Sequence, residues 1–377
     1  MAATPRDSHP KPPFDDARSV EREIVQPLLA WFSTSARDLP WRRRTSPWRT
    51  LVSEFMLQQT QVSRVEERFE AFLDRYPTPA AMVAAGEADV LAAWEGMGYY
   101  RRARFLHATA KAIVDEHGGE VPADAAALLA LPGVGRYTAG AIASIAFDLA
   151  EPIVDGNVAR VVARLGGLDL VADDPELLEA SWAASKVMVG ATPRPGRVNE
   201  AVMELGATVC TPASPRCDGC PLATACRARA AGIETDVPRP KPRPVRTVIH
   251  LHLVLVRRGD ELLLERRPRG GIWGGLWQPI GVESEVELEA DAVASRLGDW
   301  CEAAVPITRV RRLLTHREVH LHLFEATATN DGTPAEGLPD RGWFDRGRAA
   351  ELGCPKPVRG LIDEFGWSAT GSDESST

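Results

Sequence analysis

The stretch LPGVGRYTAG, residues 131–140, lies between two apolar helical segments and decides the fold of the first half of the chain. It predicts that one helix ends at Leu131, that Pro-Gly-Val-Gly forms a turn, and that a second helix begins near Tyr137. Gly133 and Gly135 allow the backbone to approach a ligand closely, and the N–H groups at the start of the second helix favour an anion. The stretch therefore predicts a helix-hairpin-helix turn, which contacts one DNA phosphate without reading the base sequence. A plain corner between two helices is the alternative.

On both sides of this turn the pattern is helical, because apolar residues recur every three or four positions from about residue 21 to 230. Alternating Pro and basic residues then predict an extended, semi-rigid linker. Beyond the linker the apolar period becomes two. TVIHLHLVLVRR and ELLLERR predict a hairpin around a Gly-Asp turn, TRVRRLLTHREVHLHLFEATA predicts two more strands, and VELEADAVASRL and VRGLIDEF predict helices. The sequence therefore predicts a multi-domain protein with an all-α domain followed by an α+β domain.

The predicted domain bounds follow from these changes in pattern. They are a disordered N-terminal segment, 1–20; the helical domain, 21–236, with a six-helix core at about 35–150 and a module formed by 21–34 and 151–236; the linker, 237–246; the α+β domain, 247–365; and a disordered tail, 366–377. The two terminal segments are polar and poor in large apolar residues, which is typical of disorder.

The composition is typical of a soluble protein of two or three domains, since 44% of the 377 residues are apolar and 25% are charged. No apolar run approaches the length of a membrane span, and the N-terminus lacks the apolar segment of a signal peptide, so we expect a cytoplasmic protein with no membrane partner. The net charge of -8 argues against binding of nucleic acid by bulk charge. A local basic face could still form at RRR, 42–44, and YYRRAR, 99–104, although solvated helix ends explain these residues equally well.

Four of the six cysteines lie in one short stretch with the spacing C-x6-C-x2-C-x5-C, at Cys210, Cys217, Cys220 and Cys226. A reducing cytosol disfavours disulfides. Four thiolates between Pro and Gly turns suit either a tetrahedral Zn²⁺ ion or a [4Fe–4S] cluster, and the spacing alone does not choose between them. The other two cysteines, Cys301 and Cys354, are isolated and are interpreted as packing residues.

Two carboxyl groups occupy unlike predicted environments. Glu54 lies in the apolar helical stretch TLVSEFML, where burial would raise its pKa and suit a general acid; the solvent face of an amphipathic helix is the alternative. Asp155 precedes the helix of DGNVARVVARL and is typical of an N-cap, and the helix N–H groups would favour its ionised form. An ionised carboxylate beside a group that protonates is the pair that cleavage of a sugar bond requires.

A family resemblance rests on these motifs and on the denser stretches SEFMLQQTQV, GMGYYRRAR, LPGVGRYTAGAI, VDGNVARV and NEAVMELGATVC. A helix-hairpin-helix followed by an Asp and four cysteines resembles the endonuclease III superfamily of base-excision glycosylases, and the stretches are similar to the A/G-specific adenine DNA glycosylases of the MutY type. The resemblance covers about residues 21–365. It implies that the four cysteines hold a [4Fe–4S] cluster.

The resemblance also assigns roles in catalysis. The bifunctional relatives carry a lysine where this chain has Tyr137, and a phenol cannot form the Schiff base that leads to strand cleavage. A monofunctional glycosylase is therefore implied, in which Glu54 protonates N7 of adenine, Asp155 stabilises the sugar cation, and the Tyr137 hydroxyl lies beside the catalytic carboxylate. The residues implied to line the adenine pocket are Trp41, Arg42 and Glu200.

The base must leave the duplex stack before it reacts, and the resemblance implies residues that bind the DNA around it. Tyr99, Gln59 and Thr60 match positions that wedge beside the opposite base, although a core aromatic is the alternative for Tyr99. The full set of implied DNA contacts is Gln59, Thr60, Tyr99, Gly133, Gly135 and Asn157.

The second domain resembles a Nudix-like module, which in this family inspects 8-oxoguanine. Its stretch GVESEVELEADAVASRLGDW lacks the Arg-Glu-x-x-Glu-Glu pattern of a working Nudix pyrophosphatase, so no hydrolase activity is expected. LLTHREV replaces the Phe-Ser-His recognition loop, with Thr315 in place of Ser, His316 retained and Leu314 in place of the aromatic residue. His250 with His252 and His320 with His322 alternate along strands; they could bind a metal, but histidines that share a sheet face without one are the favoured interpretation.

These observations predict a monomeric adenine DNA glycosylase whose partner is double-stranded DNA containing adenine opposite 8-oxoguanine or guanine. Two rival hypotheses remain: a glycosylase and lyase of the endonuclease III type that acts on oxidised pyrimidines, and a DNA-binding protein without catalysis. Tyr137 and the second domain argue against the first, and the joint presence of Glu54 and Asp155 argues against the second.

Overall fold

The computed structural model describes residues 17–242, 245–297, 303–327 and 340–367. The predicted disorder of 1–16 and 368–377 and the interpretation of Cys301 lie outside these residues. Residues 17–20 are helical, so the disorder predicted to reach residue 20 is wrong there. The disorder predicted to begin at residue 366 is also wrong at its start, because Trp367 packs against the core of the sheet unit and the Gly366 carbonyl accepts a hydrogen bond from Arg257.

The chain divides into two compact units, and the division departs from the predicted bounds. The helical unit comprises the residues up to Ala84 together with Phe105–Pro242, and the sheet unit comprises Ala85–Arg104 and the residues from Arg243 onward. The sequence predicted one uninterrupted helical domain, because the helical pattern of residues 85–104 carries no sign of a distant partner.

Helices form the chain up to residue 231 within the described residues. They are α1 Ala17–Val20, α2 Gln26–Ser35, α3 Pro40–Arg43, α4 Pro47–Leu57, α5 Val62–Glu66, α6 Phe69–Arg75, α7 Pro79–Ala85, α8 Glu87–Ala93, α9 Arg101–Glu116, α10 Ala125–Ala130, α11 Arg136–Phe147, α12 Gly156–Gly166, α13 Pro175–Gly190, α14 Pro195–Thr208 and α15 Arg227–Ala231. A π-helical turn, Glu21–Val25, joins α1 to α2, and a 3₁₀ turn, Cys217–Gly219, follows α14.

The predicted turn between two helices is present between α10 and α11. Gly133 has a φ of 76°, and a Cβ there would lie 2.5 Å from the side chain of Phe105, so both conformation and space require glycine. Gly135 is the N-cap of α11, no side chain caps that helix, and a Cβ at Gly135 would meet nothing within 4 Å. The first turn of α11 therefore begins at an open backbone surface.

Three further glycines bring α11, α12 and α14 close together. A Cβ on Gly140 would lie 2.4 Å from the carbonyl oxygen of Pro152, and one on Gly196 would lie 2.3 Å from that of Ser144. Gly206 of α14 packs against Asn157 in the same way, with 2.6 Å to its Cβ. These contacts hold the start of α12, which carries Asp155 as its N-cap, against α14.

The sheet unit contains a six-stranded sheet in the order β4-β5-β1-β3-β2-β6. Its strands and helices after residue 246 are β1 Thr247–Arg258, β2 Glu261–Arg266, β3 Trp277–Ser284, α16 Ala290–Leu297, β4 Val305–Leu313, β5 Arg317–Thr327, β6 Arg341–Phe344, α17 Arg346–Glu351 and α18 Lys356–Phe365. The pairing of β1 with β5 is parallel and the other pairings are antiparallel. One face packs Leu251, Leu253 and Leu321 with residues of α18, and the other packs Val254 and Phe324 with residues of α16.

The predicted strands are present, but the first hairpin is opened by a third strand. β1 and β2 pair only beside their turn, at Arg257 with Leu262 and Arg258 with Glu261, because β3 then lies between them. The residues of a turn can be recognised from the local sequence. The order of strands in a sheet depends on which distant strand pairs with each edge, and the local sequence does not show this.

The first part of the predicted linker belongs to the helical unit. Arg239 forms a parallel bridge with Val171, Val237 is buried, and Lys241 pairs with Asp173 at 3.0 Å. The change from one unit to the other occurs at Pro242, six residues after the predicted end of the helical domain. No helix among the described residues has the length and apolarity needed to cross a membrane.

Candidate active site

The helical unit contains a cavity of about 590 Å³ that gathers nine of the predicted site residues. Its walls come from α3, α4 and the turn after α4, and from α11, α12 and α14. The predicted residues that line it are Trp41, Arg42, Glu54, Gln59, Thr60, Tyr137, Asp155, Asn157 and Glu200. The sequence scattered these residues over 160 positions, and the packing of α11 against α4 and α14 brings them together.

Glu54 is a buried carboxyl on the cavity wall. Its residue is 6% exposed, and the flanking apolar residues of α4 are buried as well, which removes the solvent-face alternative. Burial raises the pKa of Glu54 to about 7, the Tyr137 hydroxyl bonded to it works against this rise, and the negative charge of Asp155 adds to it. A carboxyl of this kind holds a proton near neutral pH.

Asp155 is the N-cap of α12, as predicted. Its Oδ1 accepts a hydrogen bond from the Val158 N–H at 2.8 Å, and its Oδ2 accepts one from the Asn157 side-chain amide at 2.8 Å. Arg160 in turn donates to the side-chain oxygen of Asn157, Oδ1, at 2.8 Å. The carboxylate is therefore held at both oxygens while it lines the cavity.

Tyr137 lies in the first turn of α11 and connects the two acids electrostatically. Burial, and then the charges of Glu54 and Asp155, raise its pKa well above the ordinary value, so the hydroxyl remains protonated. The same hydroxyl lies 3.2 Å from the sulfur of Met203 on α14. Tyr137 is thus a neutral hydrogen-bond donor beside Glu54.

The inner wall carries a network of ion pairs that the sequence predicted only in part. Arg42 Nε lies 3.3 Å from Glu200 and its Nη2 lies 3.1 Å from Glu204. Arg37 binds Glu204 with two side-chain bonds, at 2.7 and 2.9 Å. Burial raises the pKa of Glu200, against the opposing effect of Arg42 and then Arg197.

Sequence reasoning missed Arg37, Glu204 and Gln58 at this site. Glu200 and Glu204 lie four residues apart on α14, so they face the same side of one helix, and that spacing was the available signal. Gln58 donates to Thr138 at 3.3 Å, and Gln59, which follows, has a φ of 54°. A non-glycine residue in this conformation marks a constrained turn at the edge of the cavity.

The predicted contacts to the opposite base divide between the two units. Tyr99, Thr315 and His316 belong to the sheet unit and do not line the cavity. Tyr99 has a φ of 46°, is 43% exposed, and its hydroxyl is hydrogen-bonded to that of Thr315. The core alternative for Tyr99 is therefore excluded by its exposure.

Thr315 and His316 form the exposed tip of the turn between β4 and β5, which closes through a bond from the Leu314 N–H to the Arg317 carbonyl at 2.8 Å. Leu314 is partly buried against the sheet core, so it packs inward. The exposed tip thus presents a hydroxyl and an imidazole.

Two of the three arginines in the second basic stretch are held within the sheet unit, whereas Arg101 is exposed. Arg102 is 7% exposed and its guanidinium lies over the rings of Trp94 and Tyr99, and Arg104 donates to the Gly274 carbonyl. Both arginines serve packing within the sheet unit.

The four clustered cysteines surround one small cavity of about 20 Å³ in the helical unit. Burial raises the pKa values of Cys217, Cys220 and Cys226, that of Cys220 to about 11, and mutual charge repulsion adds to each rise. Arg164 donates to the Cys210 sulfur at 3.3 Å. Four converging thiols whose shared charge needs compensation fit a bound metal centre. Cys354 is buried, in agreement with a packing role.

Comparison with known protein families finds one match in each of the two units. Residues 52–185 match the model of the HhH-GPD superfamily base excision DNA repair proteins, and residues 252–364 match that of the NUDIX domain. The adenine DNA glycosylase of Mycolicibacterium smegmatis is 49% identical over 206 residues, which are 54% of this chain and 69% of that protein. The chain belongs to the adenine DNA glycosylase family.

Other members of the adenine DNA glycosylase family align over more of the chain. The rat enzyme is 33% identical over 377 residues, covering 84% of this chain and 73% of that protein. The human enzyme is 35% identical over 354 residues, covering 78% of this chain but slightly under two thirds, 64%, of that protein. The structure of a thermostable thymine-DNA glycosylase superposes with a TM-score of 0.52 and 27% identity, covering 57% of this chain and all of the other.

Proposed function

We propose that the protein is a monofunctional DNA glycosylase that removes adenine paired with 8-oxoguanine or guanine. The observation that carries the proposal is the cavity in which Glu54, with a pKa of about 7, faces Asp155 and Tyr137. The cavity has the volume of a small-molecule site, so it can receive a base extruded from the duplex.

Glu54 is the general acid. Adenine leaves poorly as an anion, and protonation at N7 makes it a neutral leaving group. A carboxyl with a pKa of about 7 is still substantially protonated at neutral pH, and the Tyr137 hydroxyl orients it by a hydrogen bond.

Asp155 supports the positive charge that develops on the deoxyribose. Its two oxygens are already bound by Val158 and Asn157, so the carboxylate is oriented before the substrate arrives. Such a preorganised charge stabilises an oxocarbenium-like transition state. Water then completes the reaction at the sugar carbon.

Tyr137 explains why the strand remains intact. The bifunctional relatives supply an amine at this same position, whereas a phenol with a raised pKa is neither an amine nor an ionised nucleophile. We therefore expect an abasic site as the product, with strand breakage only after alkali.

The remaining wall residues hold the base and the DNA. Arg42 and Glu200 present a donor and an acceptor beside Trp41, the combination needed to recognise an adenine edge and face. Gln59, Thr60 and Asn157 line the same cavity, and Gly133 and Gly135 open the backbone at the start of α11 toward a phosphate.

The sheet unit reads the opposite base without hydrolysing nucleotides. Thr315 and His316 lie exposed at a hairpin tip, and the Tyr99 hydroxyl is hydrogen-bonded to Thr315. The opposite base could therefore contact a hydroxyl, an imidazole and an aromatic ring at one place. A polar contact to the edge that distinguishes 8-oxoguanine from guanine is worth about 1–3 kcal/mol.

Cys210, Cys217, Cys220 and Cys226 would hold a [4Fe–4S] cluster, a group that supplies electron-transfer chemistry when bound. Arg164 binds Cys210 and three backbone carbonyls, those of Thr211, Pro212 and Val237, and so fixes the cysteine loop on α12. A reducing cytosol keeps such cysteines free of disulfides, which supports a cytoplasmic location; the monomeric state stays a prediction from the sequence.

The test is single-turnover excision from a duplex that contains adenine opposite 8-oxoguanine. Wild type should release adenine, with strand breakage only after alkali, and Glu54→Gln should bind the duplex but lose at least about 100-fold in rate. Glu67→Gln is the matched control, because Glu67 is an exposed carboxyl outside the cavity.

Each alternative has its own result in this assay. Strand breakage without alkali indicates an endonuclease III-type lyase. Release of thymine from a G:T duplex in preference to adenine indicates the specificity named for the superposed thymine-DNA glycosylase. Binding of the duplex without release of a base indicates a DNA-binding protein. Any of the three overturns the proposal.

A further inference from the structure

A row of histidines crosses one face of the sheet. β1 and β5 run parallel in a register that places His250 beside His320 and His252 beside His322. The ring centroids of His250 and His320 are 4.8 Å apart, and those of His252 and His322 are 4.6 Å apart. Farther along the same face the strands carry apolar residues, Val254 and Phe324. Neither DNA binding nor catalysis, as proposed above, uses these histidines.

Three of the four rings have nitrogens that converge. His250, His320 and His322 each offer one ring nitrogen, and the three atoms lie within 4.8 Å of one another. His250 Nδ1 and His322 Nε2 are 3.0 Å apart. Ligand nitrogens around a tetrahedral Zn²⁺ ion lie about 3.4 Å apart, since each is about 2.0–2.1 Å from the metal. Small ring rotations therefore bring the three nitrogens to that spacing.

The fourth histidine differs from the other three. Both ring nitrogens of His252 are bonded to backbone: Nδ1 lies 3.3 Å from the Val282 carbonyl, and Nε2 accepts from the Leu288 N–H at 3.0 Å. His252 therefore has no lone pair to offer, and it supports the loop before α16.

Two carboxylates stand behind the converging rings. His320 Nε2 donates to Glu318 at 2.8 Å, which leaves Nδ1 as its ligand atom, and His322 Nδ1 lies 3.6 Å from Glu287. A carboxylate that binds the second nitrogen of a histidine is the usual support for a metal-ligating ring, because it fixes the tautomer and raises basicity.

We propose that His250, His320 and His322 bind a divalent transition-metal ion of the Zn²⁺ type, with Glu318 and Glu287 as the carboxylates that orient the rings. Imidazole ligands suit Zn²⁺ and neighbouring metals, and a fourth position is left for water or a Glu287 oxygen. The ion would join β1 to β5 three residues beyond Arg317, where the strand that follows the Thr315–His316 tip begins.

Among the charged groups around the site, the guanidinium of Arg309 would compete with a metal ion for His320. Arg309 donates to His320 Nδ1 at 2.8 Å and pairs with Glu287 at 2.7 Å, and Arg311 pairs with Glu318. Arg309 is about half exposed, so its guanidinium can swing into solvent when the ion takes its place at His320. Arg309→Gln removes this competing cation and should tighten metal binding.

The experiment is a calorimetric titration in which Zn²⁺ is added to the full chain in a non-chelating buffer. The iron content of the protein is measured beforehand. Wild type should bind one ion per chain. His250→Gln should lose at least about 10-fold in affinity, whereas His252→Gln, the matched control from the same row, should bind as wild type does. Equal affinity for wild type and His250→Gln, or equal losses in both variants, would overturn the proposal.

A second measurement does not depend on variants. Crystals of the wild-type chain equilibrated with Zn²⁺ should show an anomalous peak between the three rings, and iron per chain should stay constant. A peak only at the cysteine cluster, or no peak at the histidines, contradicts the site. Adenine excision tests the proposed function separately, so the two proposals can fail independently.

Discussion

At the scale of the residue, the buried carboxyl of Glu54 makes stability depend on pH. Its pKa is about 7 in the folded chain, compared with an ordinary value of 4.5, because burial disfavours its ionised form. The folded state therefore holds this proton more tightly than the unfolded state does. The resulting stabilisation is fully present below about pH 4.5 and is lost as pH rises to about 7, a difference of roughly 3 kcal/mol.

Glu54→Gln should remove this dependence, since an amide does not ionise. The free energy of unfolding of the variant should match or fall below that of wild type near pH 5 and should gain on it up to about pH 7 by roughly 2–3 kcal/mol. Urea unfolding at a series of pH values measures the difference, with Glu67→Gln as the exposed control. Parallel curves for wild type and Glu54→Gln would contradict the raised pKa.

Tyr137→Lys should place an amine where the phenol now lies beside Glu54. Borohydride trapping on an abasic product should give a covalent complex with the variant and much less with wild type, because only an amine forms the imine that borohydride reduces. Tyr137→Phe controls for loss of the hydroxyl. Equal trapping of wild type and Tyr137→Lys would show that Tyr137 does not determine monofunctionality.

At the scale of the element, the approach of α14 to α12 positions Asp155. A Cβ on Gly206 would lie 2.6 Å from the Asn157 Cβ, so alanine there must push the helices apart. Gly206→Ala should lower stability by about 1–3 kcal/mol and slow excision, since Asn157 binds Asp155. Gly190→Ala is the control: Gly190 ends α13 with nothing within 4 Å of the added methyl. Thermal unfolding measures the stability of each variant, and single-turnover excision measures its rate. Equal stabilities of Gly206→Ala and Gly190→Ala would refute the close-packing argument.

The sequence predicted those elements whose causes are local. The turn at Gly133 follows from its own residues, Asp155 is identified by the helix after it, and Glu54 by its apolar neighbours. The Arg37–Glu204 pair joins residues 167 positions apart, and no local pattern encodes that contact. The converging histidines depend on the parallel register of β1 with β5, which alternation along each strand does not specify.

At the scale of the whole molecule, the division into two units indicates where a truncation removes the fewest contacts. Val237 and Arg239 pack on the helical unit, so a truncation at 236 removes buried contacts, whereas one after Pro242 keeps them. Residues 85–104 would still lose their partners, such as the carbonyl of Cys354, which accepts from Tyr100. This loss of contacts was not predictable from the sequence, because the apolar periodicity of residues 85–104 resembles that of the neighbouring segments.

Residues 1–242 alone should keep adenine removal and lose discrimination of 8-oxoguanine from guanine by roughly ten- to a hundredfold, since Thr315 and His316 are absent. Stability should fall as well. Single-turnover rates on the two duplexes, after a check of folding, measure this. Thr315→Val in the full chain removes one contact without cutting, and it should shift the same ratio in the same direction. An unchanged ratio in both proteins would refute the role of the sheet unit.

The first turn of α11 begins at Gly135, an N-cap that lacks a capping side chain, and its donors are neutral backbone N–H groups. A phosphate bound by backbone N–H groups alone displaces fewer condensed counter-ions than one bound by lysine or arginine. With a net charge of -8 overall, the protein should bind DNA with a shallow dependence on ionic strength. A plot of log affinity against log salt measures it, and a slope as steep as about -6 to -10, the range for proteins that contact many phosphates through cations, would contradict it. Its affinity for DNA would then change little as the salt concentration varies.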